Sequence, residues 1–395
     1  MNNSRNYFFY IWIFFIPIQS FLLFSQFQGT TIANIQAIFA FAYLIHSKKF
    51  AIFKILFFFV MLYLISLTFQ QFTELPNLDY VILVRESMLG IFRTSFFTQS
   101  LYLFVGLTTF FYVKEFYKAS WDKYIIYSGI LAAFYGLYEE FYFINWGDGA
   151  DFISNRMFGE SMDLSGSLTQ HIEVGGFPLL RLKSYMGEPS MYVLSIFPVF
   201  VFSVAKEYKI SSCILLISLL FTFSSIGYLF LLLFFASKAF TERKFFILSL
   251  LFLCALIFFN LEISNEIFWD KINLKATSGS DRFNFFSNAL FFFSELSQPL
   301  KLIGIGFGST RSTDFFSTLL VNNGLIGLAI FMYFIFRPFS MCLNNKYFYY
   351  GFICTSIGLM MLLAVPEFAY LFIWVMFGIS YNEFQRFNNE NSHNP

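Results

Sequence analysis

Stretches of about twenty mostly apolar residues recur along almost the whole chain, and nothing constrains its fold more. A helix that crosses a bilayer satisfies its backbone polar groups internally, and needs about 20 such residues to do so. Segments of this kind lie near 8–26, 30–46, 51–70, 94–113, 124–144, 190–206, 245–260, 314–336, 347–364 and 366–383. Of the 395 residues, 57% are hydrophobic and 12% charged, against roughly 25% charged in soluble domains. That much apolar surface has no place in one water-soluble core, so lipid must solvate part of it. The 64 phenylalanines read mainly as lipid-facing filler. The expectation is an all-α polytopic integral membrane protein, one membrane domain over 1–395.

The stretch 208–238 fits either one steeply tilted helix or two short ones broken at Ser224-Ser225-Ile226-Gly227. Charge argues for two. Lys206 and Lys209 precede it, and Lys238, Arg243 and Lys244 follow it. Cytoplasmic loops concentrate Lys and Arg, so basic flanks on one face require an even number of crossings. On that basis the chain spans the membrane about twelve times. The same rule adds Arg5, Lys48, Lys49, Lys54, Lys114, Lys118, Lys123, Arg337, Lys346 and Arg386 to that face, fifteen of the 25 Lys and Arg residues in all. Both termini are then cytoplasmic. The first apolar run, Tyr7 to Phe27, is too long for a signal-peptide core and no A-x-A-like site follows it, so it reads as a retained signal anchor.

Several function classes fall away on composition. A net charge of +1 gives no basic footprint for nucleic acid. Cys213, Cys254, Cys342 and Cys354 sit inside apolar runs without a CxxC pair, and His46, His171 and His393 are far apart. Neither set suggests a metal site, and no cofactor motif stands out.

Chemistry concentrates in two long outer loops, about 145–189 and 261–313, richer in Gly, Ser, Asn and charge than the rest. They keep Arg156, Arg181, Lys183, Lys271, Lys275, Arg282 and Arg311 on the face that ordinarily excludes bases. Local salt bridging is one account, since Asp281 adjoins Arg282 and Asp314 is close to Arg311; it suffices for Arg156, Lys271 and Lys275. For Arg181, Arg282 and Arg311 an anion site competes with it, because a guanidinium fork matches phosphate oxygens. The first loop ends Arg181-Leu-Lys183-Ser-Tyr185-Met-Gly187-Glu188-Pro189-Ser190 and runs into an apolar helix. Pro189 suits a first helical turn, where Glu188 also meets the positive end of the dipole. Glu188 is equally placed to act as a general base. In the second loop, Gly304, Gly306 and Gly308 form no dinucleotide fingerprint, lacking a βαβ setting. They suit a tight turn that brings backbone N–H groups to an anion. Asn322-Asn323-Gly324-Leu325-Ile326-Gly327 falls inside a span, where small residues allow close helix packing.

Three of these features together resemble the O-antigen polymerase (Wzy-type) branch of the O-antigen ligase and polymerase superfamily. They are Arg181 to Ser190 entering a helix, Ser280-Asp281-Arg282 followed by Gly304-Ile-Gly306-Phe-Gly308, and Asn323-Gly324-Leu325-Ile326-Gly327-Leu328. The pair of short helices around Ser224 also fits. The resemblance covers Arg181 to Leu328, with the overall topology. Ligases of the superfamily place a His-Asn pair where this chain has Thr313-Asp314, which favours polymerase.

The resemblance implies a bacterial inner-membrane enzyme with two large periplasmic loops and no cofactor. Its substrates would be undecaprenyl-pyrophosphate-linked oligosaccharide units in membrane lipid, joined into polysaccharide; a chain-length regulator is a further partner to consider. It casts Arg181 and Arg282 as the pyrophosphate clamp with Arg311 as a third contact, Glu188 or Asp281 as the base, and Lys183, Tyr185, Gly306 and Gly308 as substrate-binding residues. Two alternatives stay open: ligation of finished glycan onto lipid A-core, and a flippase for the same lipid-linked units.

Overall fold

The computed structural model describes residues 2–25, 27, 29–49, 51–70, 94–147, 151–156, 170–174, 176–241 and 277–393. The expected outer segment 71–93 and the span near 245–260 lie outside them. The molecule is about 75% helical. In chain order the helices are α1 (Asn2–Phe15), α2 (Ile32–His46), α3 (Ala51–Gln70), α4 (Thr94–Phe116), α5 (Asp122–Trp146), α6 (Pro189–Ala205), α7 (Lys209–Leu220) and α8 (Ser225–Thr241). They continue with α9 (Thr277–Glu295), α10 (Gln298–Ile303), α11 (Phe315–Phe336), α12 (Phe348–Leu363) and α13 (Leu371–His393). Short 3-10 turns occupy Ala119–Trp121 and Arg337–Leu343.

Among the described residues, three helical stretches are long and apolar enough to cross a membrane, Ala51–Phe69, Phe96–Phe116 and Phe315–Leu343. Five shorter apolar helices accompany them. Outward-facing positions are oily: on α3, Phe57, Phe58, Val60 and Ile65 are all exposed. Apolar surface on that scale marks a contact with something other than water.

The helices run between two polar ends. At one end Lys206 pairs with Asp122 at 2.8 Å, and the Tyr117 hydroxyl donates to the same carboxylate. Lys49 meets Glu115 at 2.6 Å, and Asn382 donates to the Lys114 carbonyl. Lys346 meets Glu390 at that end of α13. At the other end the Ser20 carbonyl accepts from the backbone N–H groups of Asn155 and Arg156, and Leu182 N–H donates to Phe221 O. There too Gly187 N–H donates to the Tyr370 hydroxyl and Ser66 to the Gly304 carbonyl. Helices α5 and α6 join the two ends: Asp122 and Lys206 belong to the first, while Glu140 of α5 accepts from Leu180 N–H and Gly187 precedes α6 at the second. Lys49, Lys114, Lys206 and Lys346, expected on one face, do share one end.

Helix boundaries follow local chemistry, and two depart from expectation. The first apolar run stops being helical at Phe15, well short of Phe27, because Pro17 biases Ile16 away from helical dihedrals. The 208–238 stretch is two helices, as its basic flanks argued, parted at Phe221–Ser224 where Phe223 takes a positive φ of 45°. A second break was not anticipated: α11 is interrupted at Gly324, with φ 64° and ψ −166°. Only glycine takes that conformation without strain. Gly324 therefore breaks the helix, and its missing side chain also lets the Leu302 backbone of α10 approach closely.

The stretch expected as the first outer loop contains the β-strands found among the described residues. Strands β1 (His171–Val174) and β2 (Phe177–Leu180) pair antiparallel across Gly175-Gly176, with Val174 opposite Phe177. A two-glycine connection is a strong hairpin signal, because such turns need positive φ; Gly176 has φ 83°. The hairpin is tied to α5 through Leu180 N–H, which donates to Glu140 Oε1. The stretch expected as the second outer loop is helical over α9 and α10. Its apolar side, Ala289, Phe292, Leu296 and Leu300, packs with Ile305 and Val321 as a small separate core.

Candidate functional site

Charged residues from four distant stretches converge where α6 begins. Glu188 is the residue before α6, in extended conformation, and its side chain does not cap the helix. It accepts a hydrogen bond from Ser190 Oγ, and Arg282 Nη2 of α9 lies 3.9 Å from Glu188 Oε1. Arg282 also donates to the Ala364 carbonyl at 3.2 Å. Ala364 opens the non-helical segment 364–370 between α12 and α13, which contributes a second pair. There Glu367 Oε2 receives Arg311 Nη2 at 3.0 Å, and its Oε1 accepts from Ala369 N–H. The two guanidinium groups are half open, with side chains 43% exposed for Arg282 and 54% for Arg311, while Glu367 is 9% exposed. Groups so arranged hold a carboxylate and keep donors free for a further anion.

Asp281 lies in the first turns of α9 beside Arg282, and its side chain is outside the described residues. Asp314 does not pair with Arg311. It caps α11, accepting from Ser317 N–H at 2.7 Å and from the hydroxyls of Ser317 and Ser312. That is ordinary N-cap chemistry.

The glycine run does a different task from the one expected. Gly304, Gly306 and Gly308 all have positive φ, at 77°, 104° and 75°. Gly306 N–H is not offered to an anion: it donates to Asn322 O at 2.9 Å, as Ile305 N–H does to Val321 O at 3.0 Å. The break at Gly324 frees those two carbonyls, and the loop satisfies them. The Asn322 side chain closes the same loop by accepting from Thr310 N–H and Oγ1 and donating to Thr310 O. Gly308 is buried in this turn. The run thus anchors Arg311 at its exit.

Arg181, Lys183 and Tyr185, in the stretch leading to Glu188, are held by neighbours. Arg181 donates to Gln170 Oε1 at 2.5 Å and to the Thr222 carbonyl between α7 and α8. Lys183 is 3% exposed, with Asp151 at 2.7 Å and Glu139 at 3.5 Å, so its ammonium is engaged internally. Tyr185 stacks on Tyr135 of α5, centroids 4.0 Å apart. Burial first, and then the Glu139 carboxylate, push its phenol up to about 12, so it remains a neutral donor at physiological pH.

The sequence did not single out Glu367 or Tyr370, and treated Arg156 as a local salt-bridge partner. Glu367 carried one available signal, a lone carboxylate beside Pro366 within otherwise apolar sequence near a span end. Arg156 is buried, bonded to the Gln19 carbonyl at 3.3 Å and the Tyr102 hydroxyl at 3.2 Å. Among the described residues, no group of three or more His, Cys, Asp or Glu side chains is arranged to hold a metal ion. No family model, curated protein or solved structure matches this chain.

Proposed function

We propose that the chain is a membrane-embedded glycosyltransferase that polymerises undecaprenyl-pyrophosphate-linked oligosaccharide units, an O-antigen polymerase. One observation carries the reading: Arg282 from α9 and Arg311 from the turn before α11 both reach the segment 364–370, each half exposed and paired to a carboxylate. The topology that goes with it has about twelve spans and both termini cytoplasmic, by the rule that bases gather on the cytoplasmic side. The end carrying Glu188, Arg282 and Arg311 then faces the periplasm of the bacterial inner membrane, where lipid-linked units are exposed.

The chemistry asks little of the protein. An acceptor hydroxyl oxygen bonds to the anomeric carbon of the growing glycan, and the bond from that carbon to the pyrophosphate oxygen breaks. The electron pair leaves with the lipid pyrophosphate, and the hydroxyl proton passes to a carboxylate. Arg282 and Arg311 neutralise the departing charge, where preorganised donors contribute most. Glu188 is the base with the better-supported geometry, beside Arg282 at 3.9 Å; Asp281 is the other. Arg181 contributes from the flank.

The flippase reading draws support from the break at Gly324, since transporters use discontinuous helices near their sites. The charges favour the enzyme, because they gather at helix ends instead of mid-membrane. A gel of surface lipopolysaccharide from a clean deletion strain, with a plasmid-borne complement, separates the readings. Core bearing a single repeat unit supports polymerase. Core with no glycan overturns it in favour of ligase or flippase, and accumulated lipid-linked polymer would then single out ligase.

A further inference from the structure

We propose that the outer half of α5 is a glycan-binding track, on which the saccharide part of the substrate stacks as it enters or leaves the charged site. This inference rests on the polymerase reading and deepens it. Tyr135, Tyr138, Tyr142 and Trp146 recur at helical spacings of three and four, and so share one face of α5. Their rings form a continuous row, with centroids 6.1 Å, 6.2 Å and 4.7 Å apart in order. Tyr185 extends the row by stacking flat on Tyr135, and Phe152 meets Tyr142 edge-on.

A belt of interfacial aromatics accounts for rings at one headgroup depth. This row instead climbs about 16 Å along the helix axis, at 1.5 Å per residue. Its lower end is Tyr185, three residues before Glu188. The row is open at Tyr138, 44% exposed, and at its upper end at Trp146, 63% exposed. The row is also not purely apolar. Each tyrosine adds a hydroxyl, and two residues before Tyr185 the internal cluster of Lys183 with Asp151 and Glu139 backs the row with charge. Acyl chains have no use for such groups. A sugar ring does: its C–H face lies on the electron-rich face of an aromatic ring, while its hydroxyls bond to the phenols.

The test uses the full chain in phospholipid nanodiscs, titrated with oligosaccharides released by mild acid from the lipid-linked glycans of the cells that carry the gene. This probe has neither lipid nor pyrophosphate, so binding is read without turnover. Saturable change in tryptophan fluorescence is expected for wild type, and Trp146→Phe should abolish the signal. Tyr142→Ala should bind about tenfold more weakly, corresponding to 1.4 kcal/mol, and Tyr142→Phe should restore affinity. No saturable binding, or Tyr142→Ala binding like wild type while only membrane insertion suffers, overturns the track. A deletion strain that still makes full-length polymer overturns the polymerase reading instead, and the titration then decides the track by itself.

Discussion

Gly304 and Gly324 lock two backbones against each other. A Cβ on Gly304 would lie 2.3 Å from the carbonyl of Asn322, and one on Gly324 would lie 2.4 Å from that of Leu302. Neither obstacle is a flexible side-chain tip, so the chain must move to admit a methyl group. Both positions also have positive φ. Overpacking and a left-handed alanine together cost at least about 3 kcal/mol at either site. Gly304→Ala and Gly324→Ala should therefore each deplete folded protein, read as monodisperse material in detergent gel filtration. Gly147→Ala is the control: φ is 70° but nothing lies within 4 Å of the added methyl. It should cost about 1 kcal/mol and leave yield nearly intact.

Arg311 and Glu367 make a pair that is unequal in exposure, 54% against 9%. Removing the arginine strands a largely buried carboxylate, at a cost of about 2 kcal/mol. Arg311→Ala should lower the melting temperature of the purified protein measurably. Adding Glu367→Gln should recover part of the loss, because the stranded charge is gone. Additive losses in the double variant would mean the two side chains do not depend on each other.

Arg282 differs from Arg156 in what each contacts. Arg282 is partly open and rests on Glu188 and a carbonyl. Arg282→Ala should abolish polymer formation while the protein remains inserted and abundant, and Arg282→Lys should also fail if two donors are needed at once. Arg156 is buried and joins Gln19 to Tyr102. Arg156→Ala should reduce the amount of folded protein, leaving those oxygens without a donor. Comparing polymer made per molecule inserted distinguishes the two losses.

Much of the helical frame was legible, since a span has to be apolar for about twenty residues and that constraint is written locally. The limits of α3, 51–70, and α6, 189–205, agree with the expected 51–70 and 190–206 to within a residue. Features set by distant partners were not legible. Gly324 resembles any small residue in a span until the loop at 304–306 supplies donors for the carbonyls it frees. Lys183 looks like a ligand for anions until α5 brings Glu139 to it. Glu367 gains meaning only when Arg311 reaches it from 56 residues earlier. The Gly175-Gly176 hairpin, by contrast, was written locally and was overlooked beside the stronger membrane signal.

Two exposed residues at opposite polar ends test the orientation directly. Phe177 is 73% exposed beside the hairpin turn, and Leu343 is 85% exposed in the turn before α12. In a background with Cys213, Cys254, Cys342 and Cys354 replaced, each position can carry the single cysteine. A membrane-impermeant maleimide should label Phe177→Cys in intact spheroplasts and Leu343→Cys only after lysis. Labelling of Leu343→Cys alone in spheroplasts would invert the topology and place Glu188, Arg282 and Arg311 in the cytoplasm. A polymerase acting on units exposed at the outer leaflet could not work from there, and the proposed function would fall with it.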